Sequence, residues 1–264
     1  MDSKLVCLQL LAAESEKTVQ QIIDSVPEMR DPHNWAAIDA RESNFNVVTN
    51  QASTGGKAAT ELMTNMVDAI LMRRAYELGI DPRDRSQAPR TMYEAVDRFI
   101  VNLRGGRLVN ADESWLQDFA AKNLVVSITG SRETTRKGPE WPCYTFVDNG
   151  EGQHPANFKS TFLSLSARNK SGIPFVQGKY NMGSSGVLAY CGTKWFKLIV
   201  SRRYDAAGPW AGPSSAGVLV KACPSPTTFM SAARFLCSRQ TLSTPCTRTR
   251  ASGSRASCSG PARS

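Results

Sequence analysis

The stretch ELMTNMVDAI, residues 61–70, decides how the chain is interpreted. Its apolar residues, Leu62, Met63, Met66, Val67 and Ile70, are typical of the middle of a helix. Glu61, Asn65 and Asp68 interrupt this content at spacings of four and three residues. In a helix these spacings place the three polar groups on one side. The sequence therefore predicts a largely apolar helix that carries a carboxylate, an amide and a second carboxylate in one row.

The segments around this stretch predict several further helices. The central helix is expected over about residues 57–78, between the breaker-rich NQASTGG and Gly79. Val19, Ile22, Ile23 and Val26 share one face of a second helix, which Pro27 ends. Two more helical segments are TMYEAVDRFIV, residues 91–101, and DESWLQDFAAKNL, residues 112–124.

Three later runs have the composition of strands. LVVSITG (124–130) and CYTFVD (143–148) are rich in β-branched and aromatic residues, and a Gly/Pro-containing segment joins them. They are expected to be adjacent strands of an antiparallel sheet, and WFKLIVSRR (195–203) is a third strand. The predicted class is α+β, in two layers of helices and sheet.

The end of the chain has a different composition from the rest. The formal net charge is +9, but no Asp or Glu follows Asp205, and the seven Lys and Arg after it leave +2 for residues 1–205. We therefore divide the chain into an N-terminal helical or irregular segment (1–56), a central domain (57–205) and a low-complexity basic tail (206–264). A flexible arm, a frame-altered stretch and an unusual folded segment all stay open for the tail.

Composition also narrows the cellular context and the chemistry. Seven cysteines without a CxxC spacing, and His33 and His154 as the two histidines, argue against a zinc site and favour reduced thiols. No window reaches the roughly 18 apolar residues of a membrane helix. We expect a cytoplasmic chain without a membrane partner.

Two glycine-containing motifs follow the central helix. In FVDNGEG, residues 146–152, an apolar strand ends in Asp148 and enters Gly150 and Gly152, so a carboxylate stands beside backbone that can turn closely around a ligand. An ordinary Asn-Gly turn is the alternative. In GKYNMGSSGVLAYCG, residues 178–192, glycines lead into a helical segment whose N–H groups are suited to phosphate.

In this order, ELxxNxxDA, DNGxG and a glycine-rich lid resemble the three nucleotide-binding boxes of the superfamily of DNA gyrase, the ninety-kilodalton heat-shock chaperone, sensor histidine kinases and MutL, abbreviated GHKL. The resemblance covers about residues 57–203. It implies a Bergerat-type two-layer α/β sandwich that binds ATP and Mg²⁺. The rival phosphate motif, a P-loop, is excluded because Gln51 and Ala58 stand where it needs glycine and Ser or Thr.

The resemblance also implies roles for single residues. Glu61 would be the general base that polarises the attacking water, and Asn65 would hold magnesium. Asp68 would lie towards the base or support the water network. Asp148 would accept a hydrogen bond from the adenine amino group, with Gly150 and Gly152 passing beside the base. The third box completes the ATP-binding set with Gly178, Gly183, Ser184, Ser185 and Gly186.

The chain also departs from the family pattern. Asn181 stands where many relatives carry glycine, and neither the later strands with their Gly-Thr nor a transducer domain with a phosphate-sensing lysine is recognisable after Asp205. Lys170 and Lys179 lie near the expected lid, where contact with phosphate is the alternative, and they are expected to be solvated charges of the lid. The sheet is therefore expected to end at the 195–203 strand.

These features lead to one main function and two alternatives. The first is a magnesium-dependent ATPase with slow or absent turnover. In it, lid closure changes how the chain associates, either with a second copy as a homodimer or with another protein. The second is a non-catalytic nucleotide-sensing interaction module. The third is a nucleic-acid-binding protein that acts through its basic tail, although that tail lacks the aromatic residues between its charges that single-strand binders use.

Overall fold

The computed structural model describes most of the chain up to residue 236. The described residues are 3–36, 52–100, 103–107, 109, 111–130, 134–135, 138–139, 142–158, 160–162, 164, 170–178, 183–206, 216–225, 228–232 and 235–236. They combine helices with antiparallel sheets, which confirms the mixed α and β content predicted from the sequence.

The predicted helices are present with small changes at their ends. Side-chain caps account for where three of them begin: Ser15 accepts from the N–H of Thr18, Thr54 from that of Lys57 and Asp112 from that of Trp115. The α-helices are α1 (Ser3–Ala12), α2 (Glu16–Ser25), α3 (Pro27–Arg30), α4 (Gly55–Glu77), α5 (Met92–Phe99), α6 (Glu113–Asn123) and α7 (Gly183–Gly186).

The strands form three separate antiparallel groups among the described residues. They are β1 (Trp35–Ala36), β2 (Leu124–Thr129), β3 (Thr134–Thr135), β4 (Gly138–Pro139), β5 (Cys143–Asp148), β6 (Lys197–Arg202), β7 (Ala216–Ser225), β8 (Thr228–Ala232) and β9 (Phe235–Leu236). Strand β2 pairs with β5 from Leu124↔Asp148 to Thr129↔Cys143, as predicted. Strand β3 pairs with β4.

The third sheet continues past the point where the sequence analysis ends it. Its order is β1-β8-β7-β6, with β9 also on β7, and β6 pairs with β7 from Lys197↔Lys221 to Arg202↔Ala216. The expectation of a sheet that ends at β6 is therefore wrong. The missed signal is GVLV, residues 217–220, because its β-branched Val218 and Val220 favour a strand. The tail prediction for residues 237–264 lies outside the described residues.

Helix α4 packs into the main hydrophobic core along one side. Its C-terminal half contributes Leu71, Met72 and Ala75, and α5 and the segment 173–176 supply most of the rest. A smaller core lies under α1, α2 and α3, where the predicted face of α2 packs: Val6, Leu10, Ile23, Val26 and Met29 are buried there. None of the helices in the described ranges has the length and apolar character needed to cross a membrane.

We predict that a chain truncated after Asp205 unfolds at a lower temperature than the full chain. Removing β7 exposes the hydrogen-bonding edge of β6, which favours association as well as loss of stability. The thermal midpoint should fall by at least about 4 °C, with larger species in size-exclusion chromatography. Truncation after Leu236 is the control, because it retains every described strand. A 1–205 chain as stable and as monodisperse as this control would contradict the prediction.

Candidate functional site

A large cleft lies between α4, the end of β5 and β6. Its volume is about 2010 Å³. Six of the residues predicted as site residues line it, although they come from three separate stretches of sequence: Glu61, Asn65, Asp148, Gly150, Gly152 and Gly178.

Asp148 stands at the end of β5, where the strand enters the cleft. Pairing with Leu124 of β2 holds its backbone, and its Oδ1 accepts the Gly150 N–H at 3.0 Å. The side chain is open to the cleft, while protein surrounds it on the other sides. Burial raises the pKa of the Asp148 carboxyl, and the Gly150 N–H and the positive charge of Lys170 oppose this increase. The site thus holds a carboxylate whose ionisation depends on its neighbours.

Gly150 and Gly152 let the chain pass between α4 and β6. A Cβ at Gly150 would lie 2.6 Å from Asp148 Oδ1 and would overlap Ala69 of α4. Gly152 has φ of 62°, and a Cβ there would overlap the carbonyl oxygen of Arg202. Both glycines are thus required by the protein's own packing.

Asp68 lies behind the cleft and is fully buried. Its Oδ1 accepts the Gln177 N–H at 3.0 Å, and its Oδ2 accepts the Gly178 N–H at 2.8 Å. The Nζ of Lys170 is 3.7 Å from the same Oδ2. The carboxylate therefore joins α4 to the 173–178 segment. The role that the family resemblance implies for it, towards the base or in a water network, stays a prediction.

Asn65 and Glu61 occupy the cleft side of α4. A Cβ at Gly178 would lie 2.7 Å from Asn65 Oδ1, so the backbone of Gly178 packs close to this amide oxygen and a larger residue there would collide with it. Glu61 lies one helical turn earlier and is exposed in the cleft. Oxygen atoms of an amide and a carboxylate thus face the same open volume.

The third motif is only partly placed at the cleft. Gly183 and Ser184 begin α7, a single turn that packs against α4. Ser185 is buried, and its Oγ has no hydrogen-bond partner among the described residues. Ser185 and Gly186 lie outside the described cleft lining. Asn181 and Lys179 are outside the described residues.

Sequence reasoning missed an ion pair on the far wall of the cleft. Glu151 is 7% exposed, and its Oε2 pairs with Arg203 Nη1 at 3.1 Å. The Arg203 guanidinium lies 4.8 Å from the ring centroid of Tyr76 and 5.0 Å from that of Tyr204. Burial raises the pKa of the Glu151 carboxyl, and the charges of Lys170 and Arg203 oppose this. The one feature of the local sequence that points to this ion pair is the charged residue between the two glycines of DNGEG.

Lys170 differs from the expectation of a solvated lid charge. Its side chain is 21% exposed, and it pairs with the buried Asp68. Its neighbours in sequence do not reveal this, because Asp68 lies on a helix about a hundred positions earlier.

No protein-family model, curated protein or solved structure matches the chain. In the part of the chain that the structure describes, no three His, Cys, Asp or Glu side chains converge as a metal site. A functional assignment therefore depends on the chemistry of the cleft itself.

We predict that Asp68→Ala lowers the free energy of unfolding by about 1 to 3 kcal/mol, because two backbone N–H groups and a lysine lose their acceptor. Chemical denaturation followed by circular dichroism measures this loss. Glu61→Ala is the matched control on the same helix, where an exposed side chain should change the value by less than about 0.5 kcal/mol. Equal values for the two variants would show that Asp68 does not hold the segment.

Proposed function

We propose that the chain is a magnesium-dependent ATP-binding protein of the GHKL type, and that ATP occupies the cleft between α4, β5 and β6. The observation that carries the proposal is that one cleft collects the carboxylate and amide of α4 and the carboxylate at the end of β5. These residues belong to the motifs that resemble the first two nucleotide-binding boxes, and a common structural role would not require them to share an open volume.

In this proposal Asp148 recognises the adenine ring. The Gly150 N–H occupies one acceptor position of the carboxylate, and a carboxylate has further positions for an amino group. Adenine presents an amino donor where guanine presents an acceptor, so an ionised Asp148 favours ATP over GTP. A protonated Asp148 would lose this preference.

Asn65 is suited to contribute to a magnesium site. Its amide oxygen is a hard ligand of the kind that Mg²⁺ takes together with water and phosphate oxygens, and the residue lines the cleft. When bound, the ion neutralises phosphate charge.

In this proposal Glu61 acts as the general base for hydrolysis. It would accept a proton from a water molecule whose oxygen forms a bond to the terminal phosphorus, while the bond from that phosphorus to the bridging oxygen breaks. The products are ADP and inorganic phosphate. Closure of the segment around the third motif would then couple nucleotide binding to association with a second copy of the chain or with a partner protein.

We predict that Asp148→Asn weakens ATP binding by about 1.5 to 3 kcal/mol, because the amide loses the charge-assisted hydrogen bond. Isothermal calorimetry measures the affinity, with Asp118→Asn, on the exposed face of α6, as the control. The variant should stay folded. Since the folded-state pKa of Asp148 is raised, its contribution to stability is present at low pH and is lost as pH rises, so neutralising it costs no stability near neutral pH. An unchanged affinity of Asp148→Asn for ATP would show that Asp148 does not contact the nucleotide.

We predict that Glu61→Ala retains ATP binding and lowers any hydrolysis by about 10²- to 10⁴-fold. Asn65→Ala should instead lose the magnesium-dependent part of the affinity. Steady-state phosphate release and calorimetry with and without Mg²⁺ separate these effects, and Met63→Ala on the exposed side of α4 is the control. Binding without hydrolysis in the wild type would favour the nucleotide-sensing module. Equal losses of affinity in Glu61→Ala and Asn65→Ala, with unchanged turnover, would show that these two residues have only a structural role.

A further inference from the structure

Arg73 joins the C-terminal half of α4 to the turn that follows β5. Its Nη1 donates to the carbonyl oxygen of Asn149 at 3.1 Å, and also to the side-chain oxygen Oδ1 of the same residue. Its Nε donates to Glu77 Oε1 at 2.7 Å, one helical turn later. A guanidinium group is planar and rigid, so bonds to two of its nitrogens fix its orientation. Arg73 is therefore a fixed connection between the helix and the residue that follows Asp148.

The backbone of Asn149 is held from both sides. Its N–H donates to the carbonyl of Asn123, at the end of α6, at 2.9 Å. Its own carbonyl accepts from Arg73. Because the N–H and the carbonyl belong to different peptide units, both units that flank Asn149 are fixed. The first of them includes the carbonyl group of Asp148.

The Asp148 carboxylate keeps one oxygen for a ligand. Oδ1 accepts the Gly150 N–H at 3.0 Å, whereas no donor in the described part of the chain reaches Oδ2. Asp148, Asn149 and Arg73 all line the cleft. The direction of Oδ2 depends on the backbone of Asp148, and so on the turn that Arg73 holds.

We propose that Arg73 is a positioning residue for adenine recognition, and that by holding Asn149 it fixes the direction in which Asp148 Oδ2 accepts the adenine amino group. This inference rests on the proposed function. Arg73 lies outside the three motifs of the family resemblance. A hydrogen bond weakens steeply as its angle becomes poorer. Loosening the turn therefore weakens ligands that donate to Asp148, and leaves ligands without that donor unaffected.

Arg74 supplies the matched control. It is the next residue on α4, and its Nη1 pairs with Glu77 Oε2 at 2.7 Å. It does not belong to the described lining of the cleft. Removing either arginine thus breaks an ion pair with Glu77, but the loss of Arg73 also releases Asn149.

The test compares Arg73→Met, Arg73→Lys and Arg74→Met in the full chain. Calorimetry measures the affinities for adenosine and for purine riboside, which lacks the 6-amino group. We expect Arg73→Met to bind adenosine about tenfold more weakly than the wild type, and purine riboside equally well. Arg73→Lys keeps the charge without the planar fork, so its loss should be intermediate. Arg74→Met should follow the wild type for both ligands.

Three results would overturn the proposal. Equal losses for both ligands in Arg73→Met would indicate direct contact with the ligand or a general effect on the fold. An unchanged affinity of Arg73→Met for adenosine would remove the positioning role, while the proposed function would stand if the wild type binds ATP. A wild type that binds neither adenosine nor ATP with Mg²⁺ would refute the proposed function, and this inference with it.

A second measurement does not depend on nucleotide. Hydrogen exchange of the Asn149 and Gly150 N–H groups, followed by NMR in the unliganded full chain, reports how firmly the turn is held. Exchange should be about tenfold faster in Arg73→Met than in the wild type, and unchanged in Arg74→Met. Unchanged rates in Arg73→Met would overturn the positioning role even if adenosine binds more weakly.

Discussion

The buried carboxylate of Asp68 is the interaction on which the site depends. A carboxylate without water is costly unless hydrogen-bond donors or a cation replace its hydration. Here two backbone N–H groups and the Lys170 ammonium do so. Because these partners belong to the segment 170–178, the requirement fixes that segment against α4. Gly178 is thereby placed beside Asn65, and Lys170 is placed in the cleft lining.

A second set of interactions fixes the opposite wall. The backbone of Glu151 donates to the carbonyl of Ala69 and accepts from the N–H of Tyr204, so one residue bridges α4 and the chain after β6. Arg203 adds an ion pair and lies over two tyrosine rings stacked 6.2 Å apart. Gly150 and Gly152 are needed because these contacts bring three backbone segments too close for side chains.

The cleft also contains two carboxyl groups, Asp148 and Glu151, for which the cost of burial is larger than the effect of the contacts that stabilise the charged form. Burial raises the pKa of Asp148 and of Glu151, which means that ionising either group opposes folding near neutral pH. Chains tolerate such groups where a ligand uses them. The raised pKa of Asp148 therefore supports our proposal that the end of β5 binds a ligand, because perturbed carboxyl groups are concentrated at functional sites.

The sequence by itself determined the parts of the structure that depend on local periodicity. The helical spacing predicted α4 and the row of Glu61 and Asn65 on it, and the change to β-branched residues predicted β2, β5 and the position of Asp148. Tertiary structure decided the rest. The two N–H groups that donate to Asp68 belong to residues 109 and 110 positions later in the chain. Lys170 forms an ion pair with Asp68, where the sequence predicted a solvated lysine. Such pairings follow from how separate segments pack, and no spacing within either segment encodes them.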